Sequence, residues 1–175
     1  MKQLILLLFP ISVFSIQHPY AQSDPEFSKG FIMHLKLHNG MVTKFTSASD
    51  LYIGGLQLEP QITVVEHFIR VGVMDDGFYL NKKLQAAFGP MVLIKLKTFN
   101  AGFFGSIGNI NLTVDHLWGT NHHRLAGGGI VADIGNLLTL GLTAHRDYYF
   151  NNWWFQNELG IRISKKKKII EPFNQ

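Results

Sequence analysis

From residue 29 to residue 163 the sequence alternates apolar and polar side chains with a period of two, the repeat of a β-strand and not of a helix. Phe31, Met33, Leu35 and Leu37 fall on one face, and His34, Lys36 and His38 on the other. Ile110, Leu112, Val114 and Trp118 oppose Asn111, Thr113 and Asp115. Leu138, Leu140 and Leu142 oppose Thr139, Thr143 and His145, and Phe155, Leu159, Ile161 and Ile163 oppose Gln156, Glu158 and Arg162. The pattern predicts strands at 29–38, 51–63, 67–79, 86–98, 109–118, 124–134, 137–147 and 153–163. Turn chemistry divides them. Gly135-Asn136 is a two-residue hairpin connection, and Val64 to Glu66 another short turn. Asn39-Gly40 is a type I′ signal, with Met41 to Phe45 expected to pair back on the first strand. Asp75-Asp76-Gly77 implies a bulge in the third strand or an early end to it.

Eight antiparallel strands with short connections predict an all-β, up-and-down closed barrel. A barrel of this size is stable in water or in a bilayer, and the two differ in which face is apolar. The polar face here carries charges of both signs, at His34, Lys36, Arg70, Lys95, Lys97, Asp115, His145, Glu158 and Arg162, together with many of the 17 glycines. A crowded lumen filled with paired charges fits that list better than a solvent-facing surface does. Aromatic residues fall near both ends of the strands: Tyr52, Phe78, Tyr79, Phe88, Trp118, Tyr148 and Trp153 at one, and Phe27, Phe31, Phe68, Phe99 and Phe103 at the other. Two such girdles belong at the headgroup levels of a membrane.

The N-terminus adds an address. Met1-Lys2-Gln3 is followed by the apolar run Leu4 to Ile16 and then by Pro19-Tyr20-Ala21, the pattern of a secretory signal peptide cleaved after Ala21. The expected organisation is a signal peptide at 1–21, a periplasmic segment at 22–28, the barrel at 29–163 and a basic tail at 164–175. The chain has no Cys, which excludes disulfides, thiol chemistry and a lipid-modified N-terminal cysteine. Its formal charge of +4 equals the contribution of Lys165 to Lys168. The body is close to neutral, so the charge gives no reason to expect a nucleic-acid partner.

With the signal peptide, the alternating strands and the aromatic-rich closing strand Trp153 to Ile163, the chain resembles the small outer-membrane β-barrel proteins of Gram-negative bacteria, the eight-stranded class to which the OmpA transmembrane domain belongs. The resemblance implies a monomeric transmembrane barrel in the cell outer membrane. Its partners would be the lipid of that membrane, lipopolysaccharide and the barrel-assembly machinery. It implies no cofactor and fixes no activity.

Three clusters carry candidate chemistry. The interior charges form either a structural plug or a site, and Glu158 is placed to meet Lys36 or His34 across the closing seam, with Asp115 facing Lys95 or Lys97. His116, His122 and His123 surround one loop and are candidate ligands for Zn or Cu, though no carboxylate completes the set. His145-Arg146-Asp147, followed by Tyr148 and Tyr149, places a candidate catalytic base at a rim, as in lipid-modifying barrel enzymes. The hydroxyls of Ser47, Ser49 and Thr120 stand at no diagnostic spacing from it. Arg146 also suits a lipopolysaccharide phosphate, or a rim salt bridge. The leading function is therefore a structural or surface-binding barrel with a polar, plugged interior. Its rivals are a lipid-modifying enzyme and a soluble periplasmic barrel holding an apolar ligand.

Overall fold

The computed structural model describes residues 30–45, 51–101, 106–135 and 137–164, so the signal-peptide segment, Phe27, Phe103, Ser47, Ser49, Asn136 and the lysines at 165–168 lie outside the described residues. The strands are β1 (Phe31–Thr43), β2 (Leu51–Val65), β3 (Ile69–Leu80), β4 (Lys83–Ala101), β5 (Ser106–Gly119), β6 (Arg124–Ile134), β7 (Leu138–Asp147) and β8 (Asn152–Ser164). Each pairs antiparallel with its sequence neighbours, and β8 pairs with β1, giving a closed up-and-down barrel. Among the described residues there is no α-helix, only a 3-10 turn at Thr120–His122. We call the end carrying residues 44–45, 81–82, 120–123 and 148–151 the upper rim, and the end with residues 66–68, Ala101, Ser106 and Gly135 the lower rim.

Alternation assigns the faces as the sequence implies, with the polar set inside. His34, Lys36 and His38 of β1, Gln57, Glu59 and Gln61 of β2, and Gln156, Glu158 and Arg162 of β8 are all buried in the lumen. Outside, each strand presents at least one exposed aliphatic side chain, for example Leu37, Leu58, Val73, Val92, Val114, Ile130, Leu142 and Leu159.

The lumen is filled in two tiers, of which the sequence reading contained only one. Toward the lower rim it is polar. Toward the upper rim, Val42, Ile53, Phe78, Leu80, Leu117, Leu125 and Trp154 form an apolar cluster that continues down the inner wall through Met74, Met91 and Leu93. Trp154 is fully buried, with its ring edge-on to Phe78 at 5.1 Å. Phe78 is therefore near the upper rim, as its position implies, but inside the barrel.

The turn signals at Asn39-Gly40 and Asp75-Asp76-Gly77 fail. β1 runs through Asn39-Gly40 to Thr43, pairing β2 on one side and β8 on the other, so Met41 to Thr43 extend the strand and do not fold back on it. Gly40 serves close backbone approach: a Cβ there would lie 1.9 Å from the Phe155 carbonyl oxygen. β3 likewise passes straight through Asp75 to Gly77 in unbroken register with β4. The tight turn instead falls at Asn81-Lys82, both with positive φ (49° and 61°), the backbone a type I′ hairpin requires.

Two prolines interrupt the wall. The β2–β3 ladder skips Glu59-Pro60, and the β4–β5 ladder skips Gly89-Pro90, while each proline keeps its register on the opposite side. A proline has no N–H to give a neighbour. A bulge between Lys95 and Lys97 offsets the β4–β5 register by one residue.

Candidate functional site

The polar tier of the lumen is one connected set of contacts. Lys36 Nζ donates to Glu158 Oε2 at 2.8 Å and lies 2.6 Å from Glu59 Oε1. Thr143 Oγ1 donates to the other oxygen of Glu158 at 3.1 Å and lies 3.4 Å from Gln156 Oε1. Gln156 in turn donates to Nδ1 of His38 at 3.1 Å, and Nε2 of His38 meets Asp76 Oδ1 at 2.8 Å. In the other direction Gln61 bridges Glu59 (3.1 Å) and His34 (3.0 Å). His34 lies 3.7 Å from Asp133, whose carboxylate accepts from Thr139 and Asn111 and has Arg162 at 3.9 Å. The path runs from β3 around the closing seam to β6 without leaving the interior.

Charge explains the composition. The buried permanent cations among the described residues are Lys36, Arg70 and Arg162. They face Glu59, Glu158 and Asp133. Each remaining buried carboxylate carries a histidine: Asp76 has His38, Asp115 has His145 at 2.9 Å, and Asp147 has His123 at 2.5 Å. A carboxylate removed from water without a partner is strongly unfavourable, so each acid is matched locally.

Of the interior residues expected from sequence, His34, Lys36, Arg70, Asp115, His145, Glu158 and Arg162 are buried inside. Lys95 keeps the interior face but is half-buried, opposite Asn111, and Lys97 is a correction. The bulge after Lys95 turns Lys97 to the outer face, where it stands exposed opposite Ile110. Asp115 stands opposite Met91, away from Lys95 along the strand, and meets His145 and not a lysine. Glu59, Asp76 and Asp133 went unread. Glu59 was recoverable from the alternation of Gln57, Glu59 and Gln61, whereas Asp76 was masked by its turn-like neighbours.

The rim histidines do not converge. His116 lies on the outer wall with its ring 4.8 Å from Trp118, and His122 is exposed and stacked on Tyr149 at 5.4 Å. His123 is buried, bonded to Asp147 and packed against Phe150 and Trp154. Among the described residues no three His, Cys, Asp or Glu side chains gather as a metal site. The candidate base His145 is 1% exposed, on the strand pair that sets it opposite Trp154. The candidate hydroxyl Thr120 accepts the Ala86 amide at 3.1 Å at the rim.

Asp147 organises the β7–β8 connection, accepting the amides of Tyr149 (3.0 Å) and Phe150 (3.3 Å). Arg146 points outward. Its guanidinium donates to the Asn151 side chain and lies 5.3 Å over the Trp153 ring, a cation–π contact in place of a salt bridge. Trp153 stacks on Phe155 at 6.2 Å and 16°, and Phe45 meets Phe155 edge-on. Tyr52 and Trp118 are also exposed near the upper rim, and Tyr148 in its connection. Phe31 and Phe68 are exposed near the lower rim, with Phe99 above it across Gly108. No known protein family and no curated protein matches the chain.

Proposed function

We propose that this chain is an outer-membrane β-barrel whose outer wall is solvated by lipid and whose lumen is closed, with a structural role or one exercised at its upper-rim surface. The observation that carries the reading is the belt of aliphatic side chains facing outward on all eight strands, around an interior already filled by its own side chains. A soluble barrel inverts that arrangement, because contiguous exposed apolar surface beyond a few hundred Å² promotes association in water. The aromatic residues exposed toward both ends of the strands add support, since amphipathic rings favour the headgroup level. The filled lumen favours this reading over a soluble carrier of an apolar ligand. The burial of His145 against Asp115 favours it over a lipid-modifying enzyme. In this reading lipopolysaccharide and membrane lipid surround the barrel, and the assembly machinery inserts it as a monomer.

The test is cell fractionation combined with flotation of the refolded protein on liposomes. Recovery in the outer membrane, extraction only by detergent and co-flotation with lipid are expected. Recovery as a detergent-free soluble periplasmic protein overturns the reading. Planar-bilayer recording checks the closed lumen separately, and a steady open conductance contradicts it.

A further inference from the structure

We propose that the upper rim around Trp118 binds one phosphorylated glycolipid, its phosphate on Arg124 and an acyl chain lying in a groove of the outer wall; the inference rests on the membrane reading above. Two depressions meet at Trp118 and Gly119. The first, of about 560 Å³, opens beside the β5–β6 connection and is lined further by Asn121, His122, His123 and Arg124. It is larger than a bare phosphate requires and falls within the roughly 300–1,000 Å³ common for small-ligand pockets. His123 is occupied by Asp147, which leaves Arg124 and the exposed His122 as the groups able to meet an anion. Arg124 stands directly opposite Trp118 in the β5–β6 register, so a guanidinium and an indole share one face. A guanidinium matches phosphate geometry, an aromatic face packs against a sugar ring, and the Asn121 amide supplies both a donor and an acceptor for hydroxyls.

The second depression, of about 790 Å³, runs down the outer wall toward Leu58. Its floor is Gly77 and Ala86, which pair across β3 and β4, and its sides are Leu56, Leu84, Phe88 and Trp118. A Cβ at Gly77 would find only the Leu56 carbonyl oxygen, at 3.9 Å, so the floor is open backbone. Asp75, also in the lining, makes no hydrogen bond or ion pair among the described residues. The cationic end of the paired depressions is the rim, where Arg124 draws phosphate.

The experiment is a fluorescence titration of the barrel, refolded in neutral detergent and carrying Trp153→Phe so that Trp118 is the exposed reporter. The probes are bis-phosphorylated lipid A, the same lipid dephosphorylated, and phosphatidylglycerol. Tightest binding is expected for the phosphorylated glycolipid. Removing its phosphates, or making Arg124→Gln, should weaken binding about tenfold or more, the loss of a hydrogen bond to a charged group. Ala86→Phe, which fills the groove from the outer surface, should weaken binding comparably. Both variants alter exposed positions, and their folding is checked by heat-dependent gel mobility. Unchanged affinity in either folded variant overturns the proposal, as does equal affinity for phosphatidylglycerol, which would mean that no sugar is read. Failure of the wild type to float with liposomes defeats the membrane reading instead, whatever the titration gives.

Discussion

Glu158 of the last strand reaches Lys36 of the first, with Oε2 2.8 Å from Nζ, across the seam that closes the barrel. The two are diagonal, not direct, partners: Lys36 stands opposite Gly160 and Glu158 opposite His38. Glycine makes the diagonal possible. A Cβ at 160 would lie 2.5 Å from Lys36 Cγ, and one at 141 would lie 2.6 Å from Glu158 Oε2. Glu158→Ala leaves Lys36 with Glu59 alone and should destabilise the barrel by about 3 kcal/mol, the lower end of the range for breaking a buried pair. Glu158→Gln keeps the shape and an acceptor and should cost less. Urea midpoints in detergent decide the matter, and wild-type midpoints for both variants would mean that the seam contributes nothing.

Leu140 faces outward on β7, between the buried Thr139 and Gly141. If that face meets lipid near the bilayer midplane, Leu140→Arg should cost about 2–4 kcal/mol in liposomes. In the same assay Lys97→Leu, on the outer face beyond the bulge, should be neutral or stabilising. Equal stability of the wild type and Leu140→Arg in liposomes would argue that this face is solvated by water.

The glycines separate into those that let strands approach and those that do not. Gly40→Ala drives a methyl group toward the Phe155 carbonyl and should destabilise by about 1–3 kcal/mol, as overpacking does. Gly77→Ala meets open space and should stay within about 0.5 kcal/mol of the wild type. Thermal unfolding of the pair is the measurement, and similar losses in both would indicate that backbone approach is not what Gly40 provides.

Trp154→Ala removes the largest side chain of the apolar tier and should cost about 3–5 kcal/mol. Because Trp154 also packs on His123, the pair of His123 with Asp147 should loosen, visible as greater protease sensitivity of residues 148–151. A fully protected connection in the folded variant would show that Asp147 holds it without help.

The barrel itself was legible because alternation is local: it needs only the next residue but one, and Glu158 beside Lys36 follows from strand order. The places where reading failed are those that depend on what a strand meets across the sheet. Gly40 looks like a turn glycine until Phe155 is known to lie against it, and Asp76 looks like a turn acid until His38 is known to face it. Lys97 follows the period faithfully up to the bulge, and one extra residue then reverses every later side chain of β4. The apolar tier was invisible for a related reason. Ile53, Phe78, Leu117 and Trp154 sit near strand ends, where apolar residues on both faces hide the alternation.

Pro60 and Pro90 bracket a single hairpin. One interrupts the ladder between β2 and β3, and the other the ladder between β4 and β5, so β3 and β4 keep an unbroken ladder with each other and an interrupted one with each flanking strand. A closed cylinder has no free edge, and its resistance to opening is set by its weakest staves. Here two interruptions of the ladder flank one panel, and local opening beside them should make amide exchange faster at His116 and Val73 than at their counterparts in β7 and β8. Closure gives the barrel its form, and two missing N–H groups mark the line along which that form would part.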